Sequence, residues 1–176
     1  MVEKEKQYRE KVKYGGIFDF KDAYTFLSNW FIDEDYVLEE EKYTEKVGES
    51  GKYVEVKWNA WKKISDYFKF EIKVKWEIFN MTTVEIEKGG KKIKLNKGGN
   101  EVDFKGYLVR DWENKWETTP WKKFMRSVYD RFIIRARLED YEFEVLEETK
   151  EAVEQLKAYF SLIGRGNPYT EKMRKG

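Results

Sequence analysis

The sequence predicts an α+β fold, in which a curved antiparallel meander of six to seven strands packs against an N-terminal helix and a long, bent C-terminal helical segment. Two patterns carry this prediction. From Tyr67 to Ile78, apolar residues alternate strictly with lysine and glutamate, as in a strand with one face in a core and the other in water. From Trp121 to Ile163, apolar residues recur at three- and four-residue steps without glycine or proline, as in amphipathic helices.

The elements before this central strand begin with a short alternating stretch. Residues Tyr8 to Tyr14 alternate loosely, which favours a strand, although their spacing also suits a helical turn. A helix follows, capped by Asp19 or Asp22. Its wide apolar face consists of Phe20, Ala23, Tyr24, Phe26, Leu27, Trp30 and Phe31. We expect this helix to lie on the sheet.

Five further strands complete the predicted meander. Two of them, from Tyr36 to Val47 and from Lys52 to Lys62, meet at a turn over residues 48–51. After the central strand, Gly89-Gly90 predicts a tight hairpin. Its apolar residues are Val84, Ile86, Ile93 and Leu95. A last strand runs from about Val102 to Val109.

The C-terminal helical segment begins at Thr119-Pro120, with threonine as the N-cap and proline as the first helical residue. A straight helix to the natural stop at Gly164 would be ~65 Å long at 1.5 Å per residue, which exceeds the width of such a domain. We therefore expect it to bend or break near Ile134 to Glu139, or to protrude and pack on another subunit. Residues 1–164 form one predicted domain, and residues 165–176 a basic, flexible tail.

The composition limits the classes of function. Charged residues make up 39%, hydrophobic residues 40% and aromatic residues 18% of the chain, so enough apolar surface is present for a core. The formal net charge of +1 argues against a globally basic nucleic-acid binder. Abundant Lys, Glu and aromatic residues without Cys are similar to the composition of hyperthermophile proteins. Neither a membrane-spanning run nor a signal peptide is evident, which predicts a cytoplasmic protein.

Catalysis is constrained by the residue types that the chain lacks. It contains no histidine and no cysteine, which removes imidazole bases, the usual nucleophilic pairs and ordinary zinc sites. Asp33 and Asp35 lack the glycine and spaced ligands of a calcium loop. Residues 48–52 (GESGK) differ in spacing from a phosphate-binding loop and lie between predicted strands. We expect a non-enzymatic protein without a metal ion or cofactor.

The predicted order of elements resembles the helix-grip fold of the START and polyketide-cyclase superfamily. In that fold a curved antiparallel sheet wraps a C-terminal helix and leaves an apolar cavity. The stretches GIFDFKDAYTFLSNW and PWKKFMRSVYDRFI also resemble a family of small archaeal proteins without an assigned activity. Neither resemblance implies the role of a particular residue.

An aromatic and basic stretch over residues 110–137 is one candidate for a functional surface. Basic side chains neutralise phosphates and aromatic rings stack on unpaired bases, so this mixture suits single-stranded RNA or a ribosomal surface. The candidate residues are Arg110, Trp112, Lys115, Trp116, Lys122, Lys123, Arg126, Arg131 and Arg135. In the alternative interpretation, the tryptophans belong to the core and the basic residues to a solvated helix face.

The two halves of the C-terminal segment carry opposite charges. Residues 121–137 contain six basic residues and Asp130, a net charge of +5. Residues 139–154 contain eight acidic residues and Lys150, a net charge of −7. In one continuous helix both signs oppose the helix dipole, so helix stability does not explain the pattern. The two halves would neutralise each other if the segment turned back on itself, or if it paired with a second copy or a partner helix through residues 121–160, and we expect the pairing.

A helix-grip fold would also offer an apolar cavity between its sheet and its helix. The inner-face candidates are Trp58, Phe68, Phe70, Trp76 and Phe104, which in the alternative interpretation simply fill the core. The sequence therefore predicts a binding or assembly module that acts through its C-terminal helical segment. RNA or ribosome association and carriage of an apolar small molecule are the alternatives.

Overall fold

The structure is a computed structural model that describes residues 2–115, 118–132 and 135–166, except for the side chains of residues 130, 136 and 164–166. The described chain has an α+β fold, which confirms the predicted class. Its elements are β1 (Glu3–Phe18), α1 (Phe20–Asp33), β2 (Val37–Gly48), β3 (Gly51–Lys63), β4 (Phe68–Lys88), β5 (Lys91–Arg110), α2 (Pro120–Phe132) and α3 (Arg135–Gly166).

The strands form one antiparallel sheet in the order β1-β5-β4-β3-β2. Strands β2 to β5 follow one another as a meander, and β1 pairs with β5 at the far edge. Helix α1 therefore connects strands at opposite edges of the sheet. Asp19 is its N-cap, as one of the two predicted alternatives, because its carboxylate accepts a hydrogen bond from the Asp22 N–H at 3.1 Å.

The described sheet has five strands, so the prediction of six to seven was wrong. The sequence Asn80-Met81 is typical of a turn that would end the central strand, but β4 continues through these residues as an irregular stretch of strand. Phe79 pairs with Gly99 and Thr82 with Lys97, so the register shifts between these pairs. A bulge bends a strand without ending its pairing, and the predicted outer hairpin is the continuation of β4 and β5.

The inner face of the sheet carries the core. On β4 the residues Phe68, Phe70, Ile72, Val74, Trp76 and Ile78 are all buried. Helix α1 covers this face with Ala23, Leu27 and Phe31. Helix α3 covers it with Val145, Ala152, Val153, Leu156 and Phe160. The alternation of β4 therefore marks the face that both helices cover, as predicted.

A glycine sets the distance between α3 and the sheet. A Cβ atom on Gly106 of β5 would overlap Thr149 Oγ1 and lie 3.1 Å from Thr149 Cβ. Thr149 is itself buried, and its hydroxyl donates a hydrogen bond to the Val145 carbonyl at 2.6 Å. The helix therefore approaches the strand more closely here than any larger residue on β5 would allow.

The outer face of the sheet consists largely of paired charges. Glu55 on β3 lies 2.6 Å from Lys42 Nζ on β2 and 3.8 Å from Lys75 Nζ on β4. Asp103 on β5 accepts two hydrogen bonds from Arg9 on β1, at 3.0 and 3.1 Å. These pairs join neighbouring strands on the face that lies opposite the core.

Helix α3 runs without interruption from Arg135 to Gly166. No break therefore falls within residues 135–139 of the predicted bend or break, and Ile134 lies outside the described residues. The predicted stop at Gly164 is two residues early, and most of the predicted flexible tail, residues 167–176, also lies outside the described residues. No described helix has both the length and the apolar character that a membrane-spanning helix needs.

Replacing Gly106 by alanine should lower the free energy of unfolding by about 1–3 kcal/mol, because the new methyl group overlaps Thr149. Thr149→Ala removes the overlapping hydroxyl, so the double variant should recover part of this loss. Urea unfolding of the four proteins in this cycle measures the coupling. Gly15→Ala is the control, since a Cβ there meets no atom within 4 Å. Equal losses at Gly15 and Gly106 would contradict the close approach.

An ion pair between α3 and β1 predicts acid sensitivity. Lys157 Nζ lies 2.5 Å from Glu10 Oε1, and the Tyr8 hydroxyl also donates to the Glu10 carboxylate. The hydrogen bond from Lys157, and then that from Tyr8, lowers the pKa of Glu10 below its ordinary value of 4.5. A lowered carboxyl pKa stabilises the folded protein above the ordinary value, and this stabilisation is lost as the pH falls through the lowered value.

Between about pH 5 and about pH 3, the free energy of unfolding should therefore fall less steeply for Glu10→Gln than for the unmodified protein. The glutamine keeps the size of the side chain but does not titrate. Urea unfolding at several pH values measures both slopes. Parallel curves for the two proteins would show that Glu10 does not contribute to the acid sensitivity.

Candidate interaction surface

Helix α2 presents an apolar stripe to solvent. The Lys122 N–H donates to Thr119 Oγ1 at 3.3 Å, which agrees with the predicted threonine cap before Pro120. The spacing of Trp121, Phe124, Met125, Val128 and Phe132 places these side chains on one face of the helix. Four of them are exposed, with Trp121 at 68%, Phe124 at 58%, Met125 at 41% and Phe132 at 77%. The described residues thus leave most of this stripe uncovered.

Arg126 holds α2 to the rest of the protein. Its guanidinium lies 3.0 Å from Glu3 Oε1 and 3.7 Å from Asp111 Oδ2, and its Nε donates to the Tyr67 hydroxyl at 3.1 Å. Arg126 and Asp111 are both buried. Arg126 was predicted as part of a partner or RNA surface, but its contacts here are within the protein.

Two more of the predicted surface residues also contact the sheet. Arg110 forms ion pairs with Glu3 and Glu5 on β1, at 3.4 and 3.3 Å. The Trp112 indole N–H donates to the Ser65 carbonyl at 3.0 Å. The Trp112 ring lies beneath the ammonium groups of two lysines, Lys63 at 5.3 Å and Lys69 at 5.8 Å.

The remaining candidates of this set stay on the surface. Lys115 pairs with the neighbouring Glu113, and Trp116 lies outside the described residues. The exposed members on the two helices are Lys122, Lys123, Arg131 and Arg135. The structure thus divides the predicted set into internal contacts and an exposed basic group beside the stripe. RNA association through this set stays a prediction.

Helix α3 carries an acidic groove that sequence reasoning did not identify. Phe143 is 64% exposed within the acidic half of the segment. A surface groove of about 510 Å³ is lined by Phe143, Glu144, Glu147, Glu148, Lys150, Glu151 and Glu154. In the sequence Phe143 stands between Glu142 and Glu144, and a large apolar residue within an acidic stretch is the signal that could have identified it.

One carboxylate of this groove also anchors α3. Glu148 lies 2.7 Å from Lys62 Nζ on β3 and accepts a hydrogen bond from the buried Tyr36 hydroxyl. Burial, and then the charge of Glu148, raises the pKa of Tyr36 well above its usual range. Tyr36 therefore stays protonated as a donor. Of the other groove carboxylates, Glu147 and Glu154 pair with Lys150 and Lys157 of the same helix, at 4.0 and 3.0 Å. Within the described chain Glu144 and Glu151 form no ion pair.

The predicted cavity residues lie in the sheet's inner layer, where aromatic rings from the helices contact several of them. Phe20 lies edge-on to Trp76 at 5.9 Å, and Tyr24 to Trp58 at 4.7 Å, between ring centroids. Tyr141 of α3 lies 5.0 Å from Phe68 and 6.2 Å from Phe70. Phe104 is fully buried in the same cluster. Carriage of an apolar molecule stays a prediction.

No three side chains of metal-binding type lie close enough together in the described chain to hold a metal ion. Comparison with protein-family models, with curated proteins and with solved structures gave no significant match. The interpretation of this surface therefore depends on its own chemistry.

Arg126→Met should lower the free energy of unfolding by about 3 kcal/mol, because the buried Asp111 carboxylate loses the positive charge of Arg126. Lys123→Met on the same helix is the matched control, since Lys123 is exposed, and its effect should stay within about 0.5 kcal/mol. Thermal and urea unfolding measure both. Similar small effects for the two variants would show that Arg126 behaves like the exposed basic residues and does not anchor α2.

Proposed function

We propose that this protein is a non-enzymatic binding and assembly module whose C-terminal helical segment pairs with a second copy of itself. The observation that carries this proposal is the uncovered stripe of α2, defined above by Trp121, Phe124, Met125, Val128 and Phe132. Large apolar side chains that cluster on a surface mark interaction sites, because burying them against a partner removes them from water.

The charges beside the stripe favour a second copy as the partner. Lys122 and Arg131 of α2 lie on either side of its apolar stripe, and Lys123 adds charge one position further round the helix. The carboxylates of α3, such as Glu147 and Glu151, flank Phe143 and the groove around it. A two-fold arrangement would place the basic helix of each copy against the acidic helix of the other. Such an interface uses the same contact twice, as in most symmetric dimers.

This arrangement also accounts for the sign of the charges along the segment. Residues 121–137 and 139–154 carry net charges of +5 and −7, and the basic residues at the helix starts, Lys122 and Lys123 in α2 and Arg135 in α3, have the charge that the helix dipole disfavours there. Charges that disfavour an isolated helix are understandable where they complement a partner, because complementary charges steer association and determine its register.

The helix-grip-like architecture is part of the same proposal. Its support is that the first strand lies beside the last one, and that α3 packs across the inner face of the sheet. A membership of the archaeal family suggested by the two sequence stretches would be compatible with this assembly role. In this proposal the inner layer serves to position α3, and the outward side of α3 and α2 forms the interface.

Reciprocal charge reversal tests the pairing. Lys122→Glu/Lys123→Glu and Glu147→Lys/Glu151→Lys should each give monomers by light scattering, because each creates like charges across the interface. An equimolar mixture of the two should restore dimers. The acidic substitutions fall in the first turn of α2, where negative charge favours the helix, so unfolding of α2 would not explain their effect.

Val47→Ser is the control for removal of an exposed apolar side chain, since Val47 on β2 is 81% exposed and lies outside the proposed interface. It should leave the dimer unchanged, whereas Phe124→Ser/Phe132→Ser should abolish it. A strictly monomeric unmodified protein at all salt and protein concentrations would refute self-association.

A further inference from the structure

Strands β4 and β5 extend beyond the rest of the sheet as an arm, residues Thr82–Lys97. The pairing of β3 with β4 ends at Met81, and that of β1 with β5 ends at Asn96, so Asn96 and Lys97 at the base of the arm still pair with β1. Beyond these residues β4 and β5 pair only with each other, as far as Lys88 and Lys91 at the tip. The six steps from Thr82 to Lys88, at 3.4 Å each, make the arm ~20 Å long.

Residues with unusual backbone conformations lie at the tip and at the base of this arm. Gly89 and Gly90 have φ values of 58° and 76°, as the tight turn at its tip requires. At its base, Asn80 has a φ of 52°, and a Cβ on Gly98 would lie 2.7 Å from the Phe79 carbonyl oxygen. The bulge therefore depends on the absence of a side chain at position 98. A bulge bends its strand, and this one lies where the arm leaves the sheet.

The arm carries an excess of uncompensated lysine. Its five lysines and two glutamates give a net charge of +3. The lysines are Lys88, Lys91, Lys92, Lys94 and Lys97, and all are exposed. Within the described chain none of the five forms an ion pair, in contrast to the many paired lysines of the outer sheet face. Lys88 and Lys91 even face each other across the turn, where like charges are unfavourable.

The two faces of the arm differ in charge. On one face, Glu85 and Glu87 lie opposite Lys94 and Lys92. The other face has no acidic residue. It presents the half-buried aliphatic residues Val84, Ile86, Ile93 and Leu95 between Lys88 and Lys91 at the tip and Lys97 at the base. Positive charge thus stands at both ends of a narrow aliphatic ribbon.

We infer that this arm is a contact site for the phosphate backbone of duplex DNA, bound without sequence preference. The major groove of B-form DNA is about 12 Å wide and admits a two-stranded ribbon. An arm of this length crosses that groove and brings its tip lysines and Lys97 close to the phosphates on either side. The inference is independent of the proposed helical interface.

Three other polyanions fit the arm less well. Single-stranded nucleic acid is held by aromatic rings that stack on its bases, and residues 82–97 contain no aromatic residue. Anionic lipid surfaces are met by tryptophan, tyrosine or phenylalanine at the interface, which the arm also lacks. The major groove of duplex RNA is too narrow and deep for a ribbon.

Fluorescence anisotropy of the full-length protein with a short labelled DNA duplex tests the site at several salt concentrations. If Lys88, Lys91 and Lys97 meet phosphates, the logarithm of affinity should fall against the logarithm of salt with a slope of about −2.7. Lys88→Gln/Lys91→Gln/Lys97→Gln should remove most of this slope and weaken binding at low salt by at least about tenfold.

Lys6→Gln/Lys21→Gln/Lys46→Gln is the matched control, because it removes the same charge from exposed lysines outside the arm. It should leave the slope close to that of the unmodified protein. Equal weakening by both triple variants would overturn the inference, as would a lack of binding at low salt. Equal or tighter binding of single-stranded DNA, duplex RNA or anionic vesicles would overturn the choice of duplex DNA.

Discussion

The structure depends on the need to cover the inner face of β4. Six alternating side chains, from Phe68 to Ile78, are buried on that face, and each contributes about 1.5–3 kcal/mol only when a second layer removes it from water. Helix α1, which connects the two edge strands β1 and β2, supplies part of this layer, and α3 supplies the rest. Gly106 allows α3 to lie against β5 at Thr149, so the apolar side chains of α3 pack directly on those of the sheet.

Covering one face leaves the other to be stabilised by charge. Rows of lysine and glutamate alternate across the outer face, where Glu55 receives Lys42 and Lys75 from the strands on either side. The hydrogen bond from Lys42 lowers the pKa of Glu55. Exposed ion pairs of this kind contribute little individually, but a shift of one residue would turn every charge toward the core. The pairs therefore reinforce the register that burial selects.

Local sequence patterns predicted the parts of this fold that depend on neighbours in the chain. The alternation around Trp76, the cap at Asp19 and the Gly89-Gly90 turn each act over a few residues, so their signals are visible without the fold. The strand count was missed because Asn80 and Met81 look like a turn, whereas the pairing of Phe79 and Thr82 with β5 continues on either side of them. Strand β1 was ambiguous because its partner, β5, lies about ninety residues further along the chain.

The candidate surface was only partly predictable for the same reason. Arg126 has the same sequence context as the exposed Lys123, and only the fold brings Glu3 and Asp111 to its guanidinium. Whether the stripe of α2 is exposed depends on which helix covers the sheet. The sequence pattern alone was compatible with either α2 or α3 in that position. Periodicity identifies an apolar face, but it does not tell whether that face meets the same chain or another one.

The apolar stripe of α2 and the arm lie at opposite ends of the β4–β5 pair, and this separation has a consequence for binding. Arg126 anchors α2 where Phe68 pairs with Arg110, whereas the arm ends where Lys88 pairs with Lys91. Joining two copies through their helices would therefore leave both arms unobstructed. Five lysines on one arm give weak, salt-sensitive attraction to phosphate, but a second arm on the same assembly would bind at a high effective concentration once the first is engaged. This gain in affinity vanishes if the two arms cannot reach one polyanion together. The geometry of the helical interface would therefore determine how tightly the arms bind, although the interface itself contributes no contact to the nucleic acid.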